Sequence, residues 1–88
     1  MIKLKQIGSN MTTLTLDGYE LFFSYQTLVG YHNGKAYITD KFFSKTTSSH
    51  ITKWLATYGL DKKRAYIIKQ EKLDAISANL DTASKPVR

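Results

Sequence analysis

The chain has 88 residues, 42% of them apolar and 12% aromatic, a globular composition with room for one domain and not two. It contains no cysteine, which excludes disulfides and thiolate metal sites and fits a reducing cytosol. No apolar run approaches the ~20 residues of a membrane span, and a net charge of +6 favours phosphate backbones or an acidic protein as partners.

Residues 2–7 alternate, with Ile2, Leu4 and Gln6 on one side and Lys3, Lys5 and Ile7 on the other, and predict a first strand. Gly8-Ser9-Asn10 is turn chemistry. Residues 11–16 predict a second strand with Leu14 and Leu16 facing in and Thr13 and Thr15 facing out. Asp17-Gly18 signals a tight hairpin. Beyond it Tyr19, Leu21, Phe23 and Tyr25 recur at period two, opposed by Glu20, Phe22, Ser24 and Gln26. This central strand is expected to run on through Thr27–Tyr31, with Gly30 marking a bulge or a close backbone approach. Asn33-Gly34 is the clearest turn, and it leads into a strand over residues 35–39. Loops this short allow only antiparallel pairing, so these strands form a meander. Asp40 to Phe43 leaves the sheet, with Phe42-Phe43 expected to pin the linker against the core.

Ile51, Trp54, Leu55 and Tyr58 fall at i, i+3, i+4 and i+7 and predict a helix over about 48–58, capped near Thr47 or Ser48. Gly59 suits the position after its end, with Leu60 folding back on Leu55. Residues 65–69 predict a fifth strand, and Leu73, Ile76 and Leu80 predict a short helix over about 71–80. The fold class is therefore α+β: an antiparallel four- to five-stranded meander sheet packed on one main helix, plus a short C-terminal helix. Residues 1–80 read as the domain, and 81–88, with the only proline, as a flexible tail.

No motif in the chain carries catalysis. Ser48, Ser49 and His50 are sequence neighbours, which point about 100° apart on a helix instead of at one another. Neither histidine has a second ligand at metal-binding spacing, and the glycines are too scattered to cradle a phosphate, so no metal and no cofactor is expected. The candidate binding surface is the helix N-terminus, where Thr46, Thr47, Ser48, Ser49 and His50 lie beside Lys45 and Lys53 and offer free N–H groups to a phosphate or carboxylate. The bland alternative is that one hydroxyl caps the helix and the rest are solvated. Lys62, Lys63 and Arg64 form a basic loop nearby, and residues 46–72 carry six cations against two carboxylates. A second candidate surface is an open sheet face with Lys3, Lys5, Thr13, Thr15 and Tyr37.

Two segments, Leu21-Phe22-Phe23-Ser24-Tyr25-Gln26-Thr27-Leu28-Val29 and Ser44 through Leu55, together resemble a family of small uncharacterised proteins of tailed phages and mobile elements. Proline and alanine are frequent in that family where this chain has Leu28 and Gly30. The resemblance implies a phage accessory protein used in the host cytoplasm. It transfers no functional residue. The expectation is a non-enzymatic binding protein that modulates or inhibits a host protein or defence nucleoprotein complex, in the manner of anti-CRISPR or anti-restriction proteins. The alternatives are direct binding of DNA or RNA and a structural or assembly role. No membrane contact is expected, and an edge strand offers a route to a homodimer.

Overall fold

The computed structural model describes residues 3–16 and 18–84. The roles expected of Ile2 and Asp17, and the tail over 85–88, lie outside the described residues. The element order is β1 (Lys3–Gly8), β2 (Met11–Leu16), β3 (Tyr19–Ser24), β4 (Thr27–His32), β5 (Ala36–Thr39), α1 (Lys45–Ala56), β6 (Tyr66–Ile68) and α2 (Gln70–Ser84). The sheet has six strands in sequence order, antiparallel from β1 to β5. The α+β class and the meander are as the sequence implies. The last pairing differs, because β6 joins β5 in parallel and α1 supplies the long crossover this requires.

The long central strand does not exist as one piece. It folds back at Tyr25-Gln26, where Ser24 pairs with Thr27. Tyr25 takes a left-handed conformation (φ 58°), an uncommon state for a bulky side chain, and no glycine, asparagine or proline marks the turn. Its N–H donates to the carbonyl of Asn10 at 2.8 Å, so this turn leans on the β1–β2 turn beside it.

Both faces of the sheet are covered. On one, Met11, Phe22, Val29, Ala36 and Ile38 meet Ile51, Trp54 and Leu55 of α1. On the other, Leu21 and Leu28 meet Leu73 of α2, with Leu14, Phe23, Ile68 and Ile76 around them. Register puts Thr13 opposite Phe22, and Thr13 is buried, not outward. Lys5, Thr13 and Thr15 therefore lie on the α1 face, whereas Tyr37 pairs with Tyr31 on the α2 face. These residues do not form one open surface.

Gly30 is the close approach the sequence suggests. A β-carbon there would sit 2.7 Å from the Tyr37 carbonyl and 3.0 Å from the Trp54 ring. Opposite it the β3–β4 register shifts between Phe22 and Phe23. α1 ends at Ala56, two residues before the expected 58, but it closes through Gly59 and Leu60 as expected. Gly59 is left-handed (φ 71°), Leu60 N–H donates to the Leu55 carbonyl at 3.0 Å, and Gly59 N–H to that of Ala56 at 2.9 Å.

The start of α1 is earlier than the expected 48. Ser44 is the cap, accepting from the Thr47 N–H at 3.1 Å, so Thr46 and Thr47 lie within the first turn instead of before it. α2 runs past the expected end at 80 to Ser84 and is the longer helix. Asp40 holds its start, accepting from the Gln70 N–H at 3.1 Å.

Candidate functional site

The end of β3 and the first two turns of α1 meet at a buried polar cluster. Ser24 Oγ lies 2.8 Å from His50 Nδ1 and 3.0 Å from Thr47 Oγ1, and all three residues are buried. A single serine hydroxyl bridges the two because it can donate to one partner and accept from the other. Thr47 and His50 reach inward together because they are three residues apart on one helix face. Tyr25 covers the cluster from outside, its ring 5.7 Å from that of His50. Ser24 is only 2% exposed, and its hydroxyl is shared between His50 and Thr47. The cluster fixes the position of α1 on the sheet.

That resolves the candidate residues into separate groups. Thr47 and His50 point into the protein. Ser48 reaches the other way and hydrogen-bonds the Lys62 ammonium, so the helix and the basic loop meet there. Lys45, Thr46, Ser49 and Lys53 are exposed along α1, and Lys63 and Arg64 are exposed in the loop before β6. Arg64 N–H donates to Asp61 at 3.1 Å, which closes that loop on itself. The serine/threonine run therefore does not converge on one ligand position.

Beside the Ser48–Lys62 contact a groove of about 260 Å³ runs between α1 and the β5–β6 edge, lined by Ile38, Phe42, Phe43, Ile51, Ile67 and Lys62 among others. Phe42-Phe43 does not pin the linker against the core. Phe42 is 71% exposed and Ile67 62%. The physical reason is that α1 already fills the sheet face with Ile51, Trp54 and Leu55, leaving the linker outside it. Lys41 Nζ lies 5.0 Å from the centre of the Phe43 ring, and the groove carries Lys41 and Lys62 against the single carboxylate of Asp40. The apolar character of the two phenylalanines predicts core positions for them, and no local pattern singles out Ile67. Two adjacent aromatics in a linker otherwise made of Asp40, Lys41 and Ser44 were the available signal.

At the other end of α1 a half-buried carboxylate ties the helix down. Glu20 Oε1 accepts from Trp54 Nε1 at 2.8 Å and from the Tyr58 hydroxyl at 2.5 Å. His32 stacks on Tyr58 with ring centres 3.9 Å apart. Burial, then the hydrogen bond to Glu20, raises the Tyr58 pKa well above its ordinary 10.0. The folded protein thus keeps a proton that the unfolded chain releases. The stability this contributes is full below about pH 10 and is lost as pH rises from there through the folded value. Thermal melts between about pH 8 and about pH 11 are expected to show the melting temperature falling at the alkaline end, and Tyr58→Phe to flatten that fall. Tyr31, also raised by burial, accounts for part of the remaining slope.

Among the described residues no group of three or more His, Cys, Asp or Glu side chains is placed to hold a metal ion, and no helix is long and apolar enough to cross a membrane. Residues 2–74 match a family of unknown function (DUF8033), and the chain belongs to that family. The match carries kinship and no indication of phage or mobile-element origin. Neither the curated proteins nor the solved structures include a significant match to this chain.

Proposed function

We propose that this protein is a non-enzymatic binding protein that docks on another protein through the groove between α1 and the β5–β6 edge. The observation that carries this reading is the exposure of Phe42 and Ile67 on one groove beside Lys62. Large apolar side chains left in water beside cations suit a partner that offers an apolar anchor ringed by carboxylates. The +6 charge agrees with it. The resemblance of its strand and helix segments to proteins of tailed phages and mobile elements supports an accessory role in the host cytoplasm. The target is then a host protein or the protein component of a defence nucleoprotein complex, the class that anti-CRISPR and anti-restriction proteins act on.

The test compares the wild type with the double variant Phe42→Asp, Ile67→Asp as immobilised bait for host lysate, with nuclease treatment before capture. Both positions are exposed, so the variant is expected to fold normally by circular dichroism. A partner retained by the wild type after nuclease and lost by the variant supports the reading. Identical capture by the two, or capture abolished by nuclease alone, overturns it. Raising the salt from about 50 mM to about 200 mM is expected to weaken capture without eliminating it, because rim charges are screened and apolar anchors are not.

A further inference from the structure

The face of the sheet that α2 partly covers carries a second surface. Tyr19, Tyr31, Tyr37 and Tyr66 come from strands β3, β4, β5 and β6 and stack side by side. Their ring centres are 6.0, 4.7 and 5.4 Å apart in order, with interplanar angles of 18°, 17° and 30°. Register explains the row: Leu21 pairs with Tyr31, Tyr31 with Tyr37 and Tyr37 with Tyr66, and Tyr19 lies one step along β3 on the same face. Tyr31 packs against the α2 core, while Tyr19 and Tyr66, the ends of the row, are about half exposed.

The strands beneath the row are nearly free of acid, although α2 on the same face carries Glu71 and Asp74. Strands β3 to β6 contain one carboxylate, Glu20, and it faces α1. Lys35 Nζ sits 5.5 Å from the centre of the Tyr66 ring. The parallel register of β5 and β6 brings Lys35 and Arg64, each two residues before a tyrosine of the row, to the same end of it. The two inner rings have a neighbour on each side. Only the end rings have a tyrosine on one side alone; Leu16 is paired beside Tyr19, and the Lys35 ammonium lies over Tyr66.

We propose that the tyrosine row is a binding site for single-stranded nucleic acid, in which unpaired bases extend the stack at Tyr19 and Tyr66 and the backbone phosphates meet Lys35 and Arg64. Every base has a π-face, so stacking of this kind recognises single strands without reading sequence. The lysine that lies over Tyr66 is already at the place where a phosphate next to a stacked base needs a counter-charge. In a duplex the base faces are occupied by their neighbours, which makes the site selective for unpaired strands. This surface is distinct from the Phe42–Ile67 groove and is independent of the function proposed for it.

The experiment is fluorescence anisotropy with a labelled oligothymidine of about 12 nucleotides and a duplex of the same length, at about 50 mM and about 200 mM salt. The single strand is expected to bind at least about tenfold more tightly than the duplex. Tyr19→Ala and Tyr66→Ala are each expected to weaken it about tenfold, and Tyr66→Phe to leave it near wild type, since the ring and not the hydroxyl stacks. Lys35→Ala is expected to reduce the salt dependence of binding. Phe42→Asp, Ile67→Asp is expected to bind the oligonucleotide as the wild type does, so that failure of either proposal is read separately. Equal affinity for duplex and single strand overturns the proposal, as does unchanged binding by the Tyr19→Ala, Tyr66→Ala double variant. So does a wild-type dimer in sedimentation that Tyr66→Ala dissociates, because a second copy then occupies the row.

Discussion

Trp54→Ala is expected to lose about 3–5 kcal/mol of stability in urea titrations, the cost of removing a large aromatic side chain from a packed core. A domain of this length has roughly 4–13 kcal/mol to lose, so the variant sits near the edge of folding. Trp54 is fully buried. Its ring stacks on Phe22 with centres 5.0 Å apart and planes 3° from parallel, and it lies against Gly30, the one position in β4 where a side chain would collide with it. Its N–H is spent on Glu20. Truncation therefore opens a cavity between helix and sheet and leaves Glu20 with the Tyr58 hydroxyl alone. Trp54→Phe keeps most of the packing and loses the hydrogen bond, and its smaller loss separates the two contributions. A Trp54→Ala protein as stable as the wild type would show that α1 is not held by this contact.

The second large effect is expected at Ser24. Ser24→Ala removes about 2–4 kcal/mol, although the side chain lost is only a hydroxyl. The excess comes from what remains, since His50 Nδ1 and Thr47 Oγ1 both lose their partner inside the protein. Leaving two buried polar groups unpaired costs far more than one hydrogen bond contributes. A double variant, Ser24→Ala with Thr47→Val, removes one of the orphaned groups, and its loss is expected to be smaller than the sum of the two single losses. Additive losses in urea titrations would mean that the three side chains do not act as a unit.

Much of the architecture is legible in the sequence because hydrophobic period and turn chemistry act locally. Leu14, Leu21 and Ile38 announce strands, Asn33-Gly34 announces a hairpin, and the Ile51–Trp54–Leu55 stripe announces the face of α1. Gly59 and Leu60 specify the end of that helix through local main-chain bonds. What stayed hidden depends on tertiary partners. The Tyr25-Gln26 turn has none of the usual residues, and it is held by the bond from Tyr25 to Asn10 and by the His50 ring. Thr13 reads as an outward threonine only until α1 is laid over it. Phe42 and Phe43 read as core because their chemistry is apolar, and only the finished packing of α1 shows that no space is left for them.

The candidate site divides the same way. The hydroxyl-rich stretch from Thr46 to His50 drew attention through composition, yet helix geometry sends Thr47 and His50 to Ser24 and Ser48 to Lys62. Thr47 and His50 go inward because they extend the Ile51–Trp54–Leu55 stripe by one turn, a turn that exists because the helix is capped at Ser44. The tyrosine row was invisible for a further reason. Its members stand on four strands, and the place of Tyr66 in it depends on a parallel pairing that short-range patterns do not reveal.

That parallel pairing also sets an order of events in folding. Each of the first four strand pairings joins sequence neighbours across a short turn, so closing it sacrifices little chain entropy. The β5–β6 pairing spans all of α1, and it cannot be favourable until the helix has formed and docked on the meander. Zipping therefore starts at the hairpins and ends at the β6 edge. The aromatic row and the Phe42–Ile67 groove, which both include residues of β6, are the last surfaces of the molecule to be completed.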